Sequence, residues 1–359
     1  MFQQHAFQIT PAQYFPATHP NWIGRGVAIV VFGGAYSIDL FFMISAFLIT
    51  QILLREQQAT GAVHIRRFYI RRILRIWPLY FTYIALLAML NFSGPHLHTP
   101  TNWLVMFALL SGNVAYALLG WAPQFLTWQL WSIAVEEQFY LIWPLIVGRS
   151  RARGLVIAAL AMLSISILAR AGCWFISAPS SIVWTNTLTR LDTLAAGILI
   201  GVWMMGKRFR ASAITRAMLL LAGIATILVV EGTCDHLRSP ATGLMLFAGY
   251  PAACLGCAMI LFAFLGINIS MTHRITRAAI YLGKISYGLY IWHLLALTLT
   301  MKALARPIPF AGDWIESSTF TALCALALTI AMATVSYEFL ERPFLRLKSR
   351  YALIPSRPT

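Results

Sequence analysis

Eleven acidic residues are few enough in this sequence for each carboxylate to be placed individually. Glu136 and Glu137 stand side by side within an apolar run, and Asp39 and Asp192 lie in or at the mouth of others. Glu338 and Glu341 close the last apolar segment, while Glu56, Glu231, Asp235, Asp313 and Glu316 fall in expected loops. An ionisable side chain in the middle of a membrane-crossing helix costs about 2.5–3.5 kcal/mol on insertion scales. Glu136, Glu137 and an Arg190/Asp192 pair therefore need a reason to be there. One reason is pairing with arginines that fixes helix packing; the other is a polar cavity that handles a substrate. Both can hold at once, because adjacent residues of a helix point about 100° apart.

Of the eight histidines, only His5 and His293 lie within apolar segments. Imidazole suits proton transfer near neutral pH, although a lone histidine in a membrane is often just a packed hydrogen-bonding residue. Arg66, Arg67, Arg71, Arg72 and Arg75 form a dense basic run, with Arg67, Arg71 and Arg75 one helical turn apart. They read either as an anchor for anionic headgroups or as a clamp for the phosphates of a nucleotide-bearing donor. No glycine-rich phosphate loop accompanies them. Cys254 and Cys257 have C-x-x-C spacing but sit in an apolar helix without a second pair, so they read as small hydrophobes and no metal site is expected. Cys173 and Cys234 fall in expected outer loops, which leaves a disulfide open.

The elements that must hold these groups follow from composition. The 359 residues are 59% hydrophobic and 11% charged, with a mean hydropathy of +0.73. An ordinary soluble domain is about one quarter charged. The expected fold class is an all-α polytopic integral membrane bundle of about ten spans, with the first apparently truncated. Apolar runs suited to spans occupy residues 40–54, 76–90, 130–147, 155–171, 188–205, 214–230, 242–267, 278–300 and 319–340. Residues 103–119, interrupted by Ser111-Gly112-Asn113, read as re-entrant or interfacial. The net charge of +16 is concentrated in short loops at one side, a positive-inside pattern that places the C-terminus in the cytoplasm and argues against nucleic acid as a partner. No full helix is expected before residue 40.

The motifs in their order resemble those of the acyltransferase family 3 membrane proteins, which O-acylate sugars and related acceptors. SIDLFFMISAFLIT (residues 37–50), RRFYIRRILRIWPLY (66–80), WQLWSIAVEEQFYLIWP (128–144), RLDTLAAG (190–197), LGKISYGLYIWH (282–293) and ERPF (341–344) are each similar to a family segment. His5 looks like the histidine that the family carries in its first helix, separated by ten intervening residues from a basic partner that would precede residue 1; Ala46 stands where glycine is usual. The resemblance implies a transmembrane acyltransferase domain over residues 1–346, a tail over 347–359, and location in a bacterial inner membrane.

It further implies acyl-CoA, most simply acetyl-CoA, as co-substrate, with no bound cofactor, and a carbohydrate or glycolipid hydroxyl as acceptor. On that footing Arg71, Arg72 and Arg75 are expected to meet the CoA phosphates. His5 is the expected general base, oriented by Glu136 or Glu137. Asp39, Ser45, Trp128, Ser132, Tyr140, Arg190, Asp192, Ser286, Tyr287, His293 and Glu341 are expected to shape the cavity. Ser45, Ser132 and Ser286 lack a nucleophile-elbow context, which favours direct transfer over an acyl-enzyme. A transporter or flippase would also keep carboxylates and histidine in its spans, but it should show internal repeats, and none is visible. An inactive relative is the third reading.

Overall fold

A chain immersed in hydrocarbon must satisfy its backbone N–H and C=O groups internally, and a helix does this segment by segment. The computed structural model describes residues 2–6, 21–92, 98–120, 125–234, 236, 239–267, 273–304 and 314–351. Among the described residues every regular element is helical. The helices are α1 (Phe2–Ala6), α2 (Asn21–Gly33), α3 (Ser37–Thr60), α4 (Ile65–Leu90), α5 (Thr101–Ala108) and α6 (Gly112–Leu119). They continue with α7 (Leu130–Arg149), α8 (Ala152–Phe175), α9 (Ser180–Thr185), α10 (Leu191–Trp203) and α11 (Ala213–Cys234). The last are α12 (Tyr250–Phe264), α13 (Arg274–Lys284), α14 (Ser286–Leu304), α15 (Trp314–Ser336) and α16 (Arg342–Ser349).

Seven helical runs among the described residues are long and apolar enough to cross a membrane: Arg25–Thr60, Ile65–Leu90, Phe125–Arg149, Ala152–Phe175, Ala213–Cys234, Met245–Phe264 and Thr319–Ser349. The protein is an all-α, multi-pass membrane bundle. Its first run joins α2 and α3 through one 3₁₀ turn, Gly34–Tyr36, so a helix does precede residue 40. The run expected over residues 278–300 is two elements. α13 has no buried residue and carries Arg274, Arg277 and Lys284, spacings that share one helical face; α14 begins only at Ser286. The break expected within residues 103–119 is present, since α5 ends before Leu109 and α6 starts at Gly112. A Cβ at Gly112 would lie 2.6 Å from the Phe107 ring, so glycine lets the two short helices fold together.

The centre of the bundle is α3, which packs on α7, α10 and α12. Close approach of α3 and α10 depends on Gly197, where a Cβ would collide with the backbone carbonyl of Met43. Phe42, Met43, Ala46 and Leu53 are fully enclosed there. All five cysteines are free: Cys173 and Cys234 lie within α8 and α11 rather than in loops, and they form no disulfide.

Two ends of the bundle differ in chemistry. At one, Arg71 of α4 meets Glu56 of α3 at 2.8 Å, and the same guanidinium donates to the Tyr351 carbonyl at 2.9 Å. Glu56, expected in a loop, is a buried helical residue that also accepts from the His64 backbone N–H at 2.8 Å. At the other end, Asp39 pairs with Arg190 at 2.6 Å, and Glu231 with His236 at 2.7 Å. Glu231 too was expected in a loop and is instead buried at the end of α11.

Candidate active site

Helix α3 presents one continuous face, Ser37, Ile38, Phe41, Ile44, Ser45, Leu48, Ile49 and Ile52, to a cavity of about 380 Å³ closed by α4, α7 and α14. These positions recur at three- and four-residue spacing, so they form a single stripe. From Ser37 to Ile52 is fifteen steps, or about 22 Å along the axis. The lining is graded. Arg72 and Arg75 of α4 border it with Tyr140, and Ser132, Ile133 and Tyr290 line it alongside Phe41.

The polar floor of the cavity is a triad. Ser45 Oγ donates to Glu136 Oε1 at 2.5 Å and lies 2.5 Å from the Tyr140 hydroxyl, which itself donates to the same carboxylate oxygen. Tyr140 sits four residues after Glu136 on α7, so one helical turn brings both to Ser45. The Arg72 guanidinium lies over the Tyr140 ring at 5.0 Å and over the Phe68 ring at 5.5 Å, within cation–π range. Its Nε is buried without a hydrogen-bond partner. Ser286 and Tyr287 complete this side of the lining, with the Tyr287 hydroxyl donating to the Ile76 carbonyl at 3.0 Å.

The expected residues do not all gather here. Arg71 turns away from the cavity because buried Glu56 requires a counter-ion and Arg71 supplies it; Arg72 and Arg75 are the arginines that face the void. Glu137 points elsewhere from Glu136, as their 100° offset requires, and accepts from Trp77 Nε1 at 3.1 Å. Arg190 and Asp192 are not partners of each other. Arg190 bonds Asp39, whereas Asp192 bonds Arg170, which also donates to the Thr189 carbonyl at 2.9 Å. The Arg190 guanidinium lies 4.4 Å from the Trp184 ring and 5.0 Å from that of Tyr250. Asp39, Arg190 and Asp192 therefore lock α3, α8 and α10 together rather than line the cavity. Glu341, in the π turn Tyr337–Glu341, accepts from Ser336 at 3.2 Å and packs against Gly288 of α14.

His5 and His293 meet. His5 Nδ1 is 2.9 Å from His293 Nε2, and the rings lie 5.0 Å apart. Both side chains are buried. The expected carboxylate partner of His5 is thus replaced by an imidazole, because among the described residues Glu136 is taken by Ser45 and Tyr140, and Glu137 by Trp77. Phe125 meets His5 edge-on at 6.1 Å, and Trp128 packs beside Phe125 at 5.4 Å. The histidine pair lies next to the cavity, not in its wall. α1 packs on the turn Gly34–Tyr36 that leads into Ser37, and on α14, where His293 is one turn beyond Tyr290.

Two residues absent from the expected site support this arrangement. The Tyr290 hydroxyl, also hydrogen-bonded to Ser132, donates to the Gln129 carbonyl at 2.8 Å; Gln129 Nε2 donates to the Ile291 carbonyl at 3.1 Å. Tyr290 was legible in principle, since it stands three residues before His293 and so shares its helical face. Gln129 gives no such signal. Among the described residues no group of three or more His, Cys, Asp or Glu side chains is placed to hold a metal ion.

Residues 5–336 match a family model described as acyltransferase domain. The chain is 28% identical over 346 residues to the peptidoglycan O-acetyltransferase OatA of Listeria monocytogenes, covering 87% of this chain and 51% of OatA. It is 30% identical over 344 residues to YrhL of Bacillus subtilis, provisionally named for the same activity, covering 87% of this chain and 50% of YrhL. The chain thus spans about half the length of the relatives it matches. No solved structure matches it. Six motifs stand in family order, four of them on α3, α4, α7 and α14, the helices that build the cavity, and they agree with the match over residues 5–336: the chain belongs to the acyltransferase family 3 of membrane proteins.

Proposed function

We propose that this protein transfers a short acyl group, acetyl in the simplest case, from acyl-CoA to a carbohydrate hydroxyl. The observation that carries the reading is the cavity that runs from Arg72 and Arg75 along α3 to Ser37, beside the turn on which the helix bearing His5 packs. The phosphates of CoA suit two arginines that lack an ion-pair partner among the described residues. The pantetheine arm, with two amides, is about as long as four to five extended residues, roughly 15 Å. With its phosphates at the Arg72 end, the thioester comes to the level of Phe41 and Tyr290. The triad of Ser45, Tyr140 and Glu136 lies along the path, where it meets the amides of the arm.

Transfer then needs one proton acceptor. His5 takes the proton of the acceptor hydroxyl as its oxygen attacks the thioester carbonyl. The carbon–sulfur bond breaks, and the departing thiolate takes that proton from the imidazolium. The acceptor approaches from the end opposite the arginines. OatA is named for peptidoglycan, so a cell-wall or surface glycan hydroxyl is the acceptor class we assign. The arginine-rich end faces the cytoplasm, where acyl-CoA is found, and holds the C-terminal helix α16, which packs on α4.

The test is release of free CoA thiol by the purified, lipid-reconstituted protein given acetyl-CoA and peptidoglycan fragments or other glycans. His5→Ala should abolish release. Unchanged turnover would remove His5 from the chemistry, and absence of acetyl-CoA binding to the wild-type protein would overturn the donor assignment.

A further inference from the structure

A base works only if the nitrogen facing the substrate is free of its proton, and in imidazole that is decided by what the other nitrogen does. His293 Nδ1 lies 2.6 Å from the backbone carbonyl of Tyr290. A carbonyl only accepts, so His293 Nδ1 carries hydrogen and donates. Neutral imidazole has one N–H, which leaves His293 Nε2 as an acceptor. His5 Nδ1, at 2.9 Å from that atom, must then be the donor. The single remaining nitrogen, His5 Nε2, is left with its lone pair.

We propose that His293 is a positioning residue: by accepting from His5 Nδ1 it fixes His5 as the tautomer whose Nε2 is the proton acceptor. This rests on the reading of His5 as the base and adds how that base is prepared. The line is anchored well beyond the histidines. Tyr290 is held by Gln129 through its hydroxyl, and Gln129 holds Ile291 through its amide, so the α14 segment that supplies the Tyr290 carbonyl is tied to the start of α7 at two points. Side chains of a helix lean back over the preceding turn, which is why His293 reaches the carbonyl three residues earlier. The orienting group is neutral, unlike the carboxylate of a Ser-His-Asp triad. The proton that His5 takes up is therefore not held by a fixed negative charge and is returned readily to the leaving thiolate.

The experiment compares His293→Leu and His293→Gln in the lipid-reconstituted protein, measuring CoA release against acetyl-CoA concentration. Glutamine can place its carbonyl oxygen near the position of His293 Nε2 and accept from His5 Nδ1; leucine cannot. Loss of a tautomer-fixing partner costs up to about 10⁴-fold where it has been isolated. The expectation is a fall in kcat of at least roughly a hundredfold for His293→Leu, with KM for acetyl-CoA within about twofold, and recovery to within about tenfold of wild type in His293→Gln. ¹⁵N spectra of histidine-labelled wild-type protein provide a readout that needs no variant. They should show His5 Nε2 as the unprotonated and Nδ1 as the protonated nitrogen. The reverse tautomer, an unchanged kcat in a folded His293→Leu protein, or a defect confined to KM would overturn the proposal. Full activity in His5→Ala would instead count against the base itself, while the ¹⁵N assignment would still report whether His293 sets the tautomer.

Discussion

Arg190 Nη2 lies 2.6 Å from both carboxylate oxygens of Asp39, more than 150 residues away, while the carboxylate two residues from it, Asp192, belongs to Arg170. The two pairs are crossed. Asp39 of α3 is tied to the start of α10, and α10 is tied in turn to α8. This arrangement holds α3, whose opposite face lines the cavity, against the rest of the bundle.

Breaking one of these pairs leaves a buried charge uncompensated. Removing one partner of a buried ion pair costs about 3–5 kcal/mol, whereas replacing both by apolar groups of like volume is often nearly neutral. Asp39→Leu alone should lower the midpoint of thermal unfolding in detergent by several degrees, and Asp39→Leu with Arg190→Met should recover most of the loss. A single variant as stable as the double would show that the pair does not hold the helices.

The arginines of α4 divide by task. Arg72→Ala with Arg75→Ala should raise the Kd for CoA by about tenfold or more, since charge-assisted contacts to phosphate are worth roughly 1.5–3 kcal/mol each. Arg71→Ala should instead lower thermal stability and leave CoA affinity within about threefold, because it strands Glu56. Calorimetric titration of CoA into the three proteins, with melting curves alongside, distinguishes the two roles; an Arg71→Ala protein that loses CoA affinity as strongly as the double variant would erase the division.

Occupying the cavity should prevent donor binding. Leu48 lines the void and is half-exposed at its edge, so a larger side chain there disturbs little else. Leu48→Trp should raise KM for acetyl-CoA by at least about tenfold, while changing the free energy of unfolding by no more than a typical surface substitution, about 0.5 kcal/mol. Unaltered KM would place the pantetheine arm elsewhere.

Gly197 offers a packing test that is independent of chemistry. A Cβ at this position would strike the Met43 carbonyl, so Gly197→Ala must push α3 and α10 apart. Overpacking of this sort costs typically 1–3 kcal/mol, and the melting midpoint should fall accordingly. Unchanged stability would mean that the helices are less closely packed than described.

Much of the fold was legible in advance because its cause is local. A 20-residue apolar run has one way to satisfy its backbone in lipid, and the runs around Ile76–Leu90, Leu130–Val147 and Leu155–Ala171 are helices for that reason. The interruption at Ser111-Gly112-Asn113 was visible for the same reason, since a glycine beside polar residues weakens a helix wherever it occurs. α2 is not legible in the sequence because it follows a polar, proline-containing stretch; nor is the division between α13 and α14, because basic residues at helical spacing look alike on a membrane surface and at the end of a span.

The sequence by itself determined the class of protein, the six motifs, and which side chains have chemistry to offer: His5, His293, Glu136, and the arginines of α4. Only the tertiary structure decided partnership. Arg190 prefers Asp39 to nearby Asp192, Arg71 answers Glu56 while Arg72 and Arg75 face the void, and His5 finds His293 rather than a glutamate. The physical reason is that helix formation depends on groups a few residues apart, whereas a buried charge or imidazole is satisfied by whichever complementary atom the packing of distant helices brings within about 3 Å.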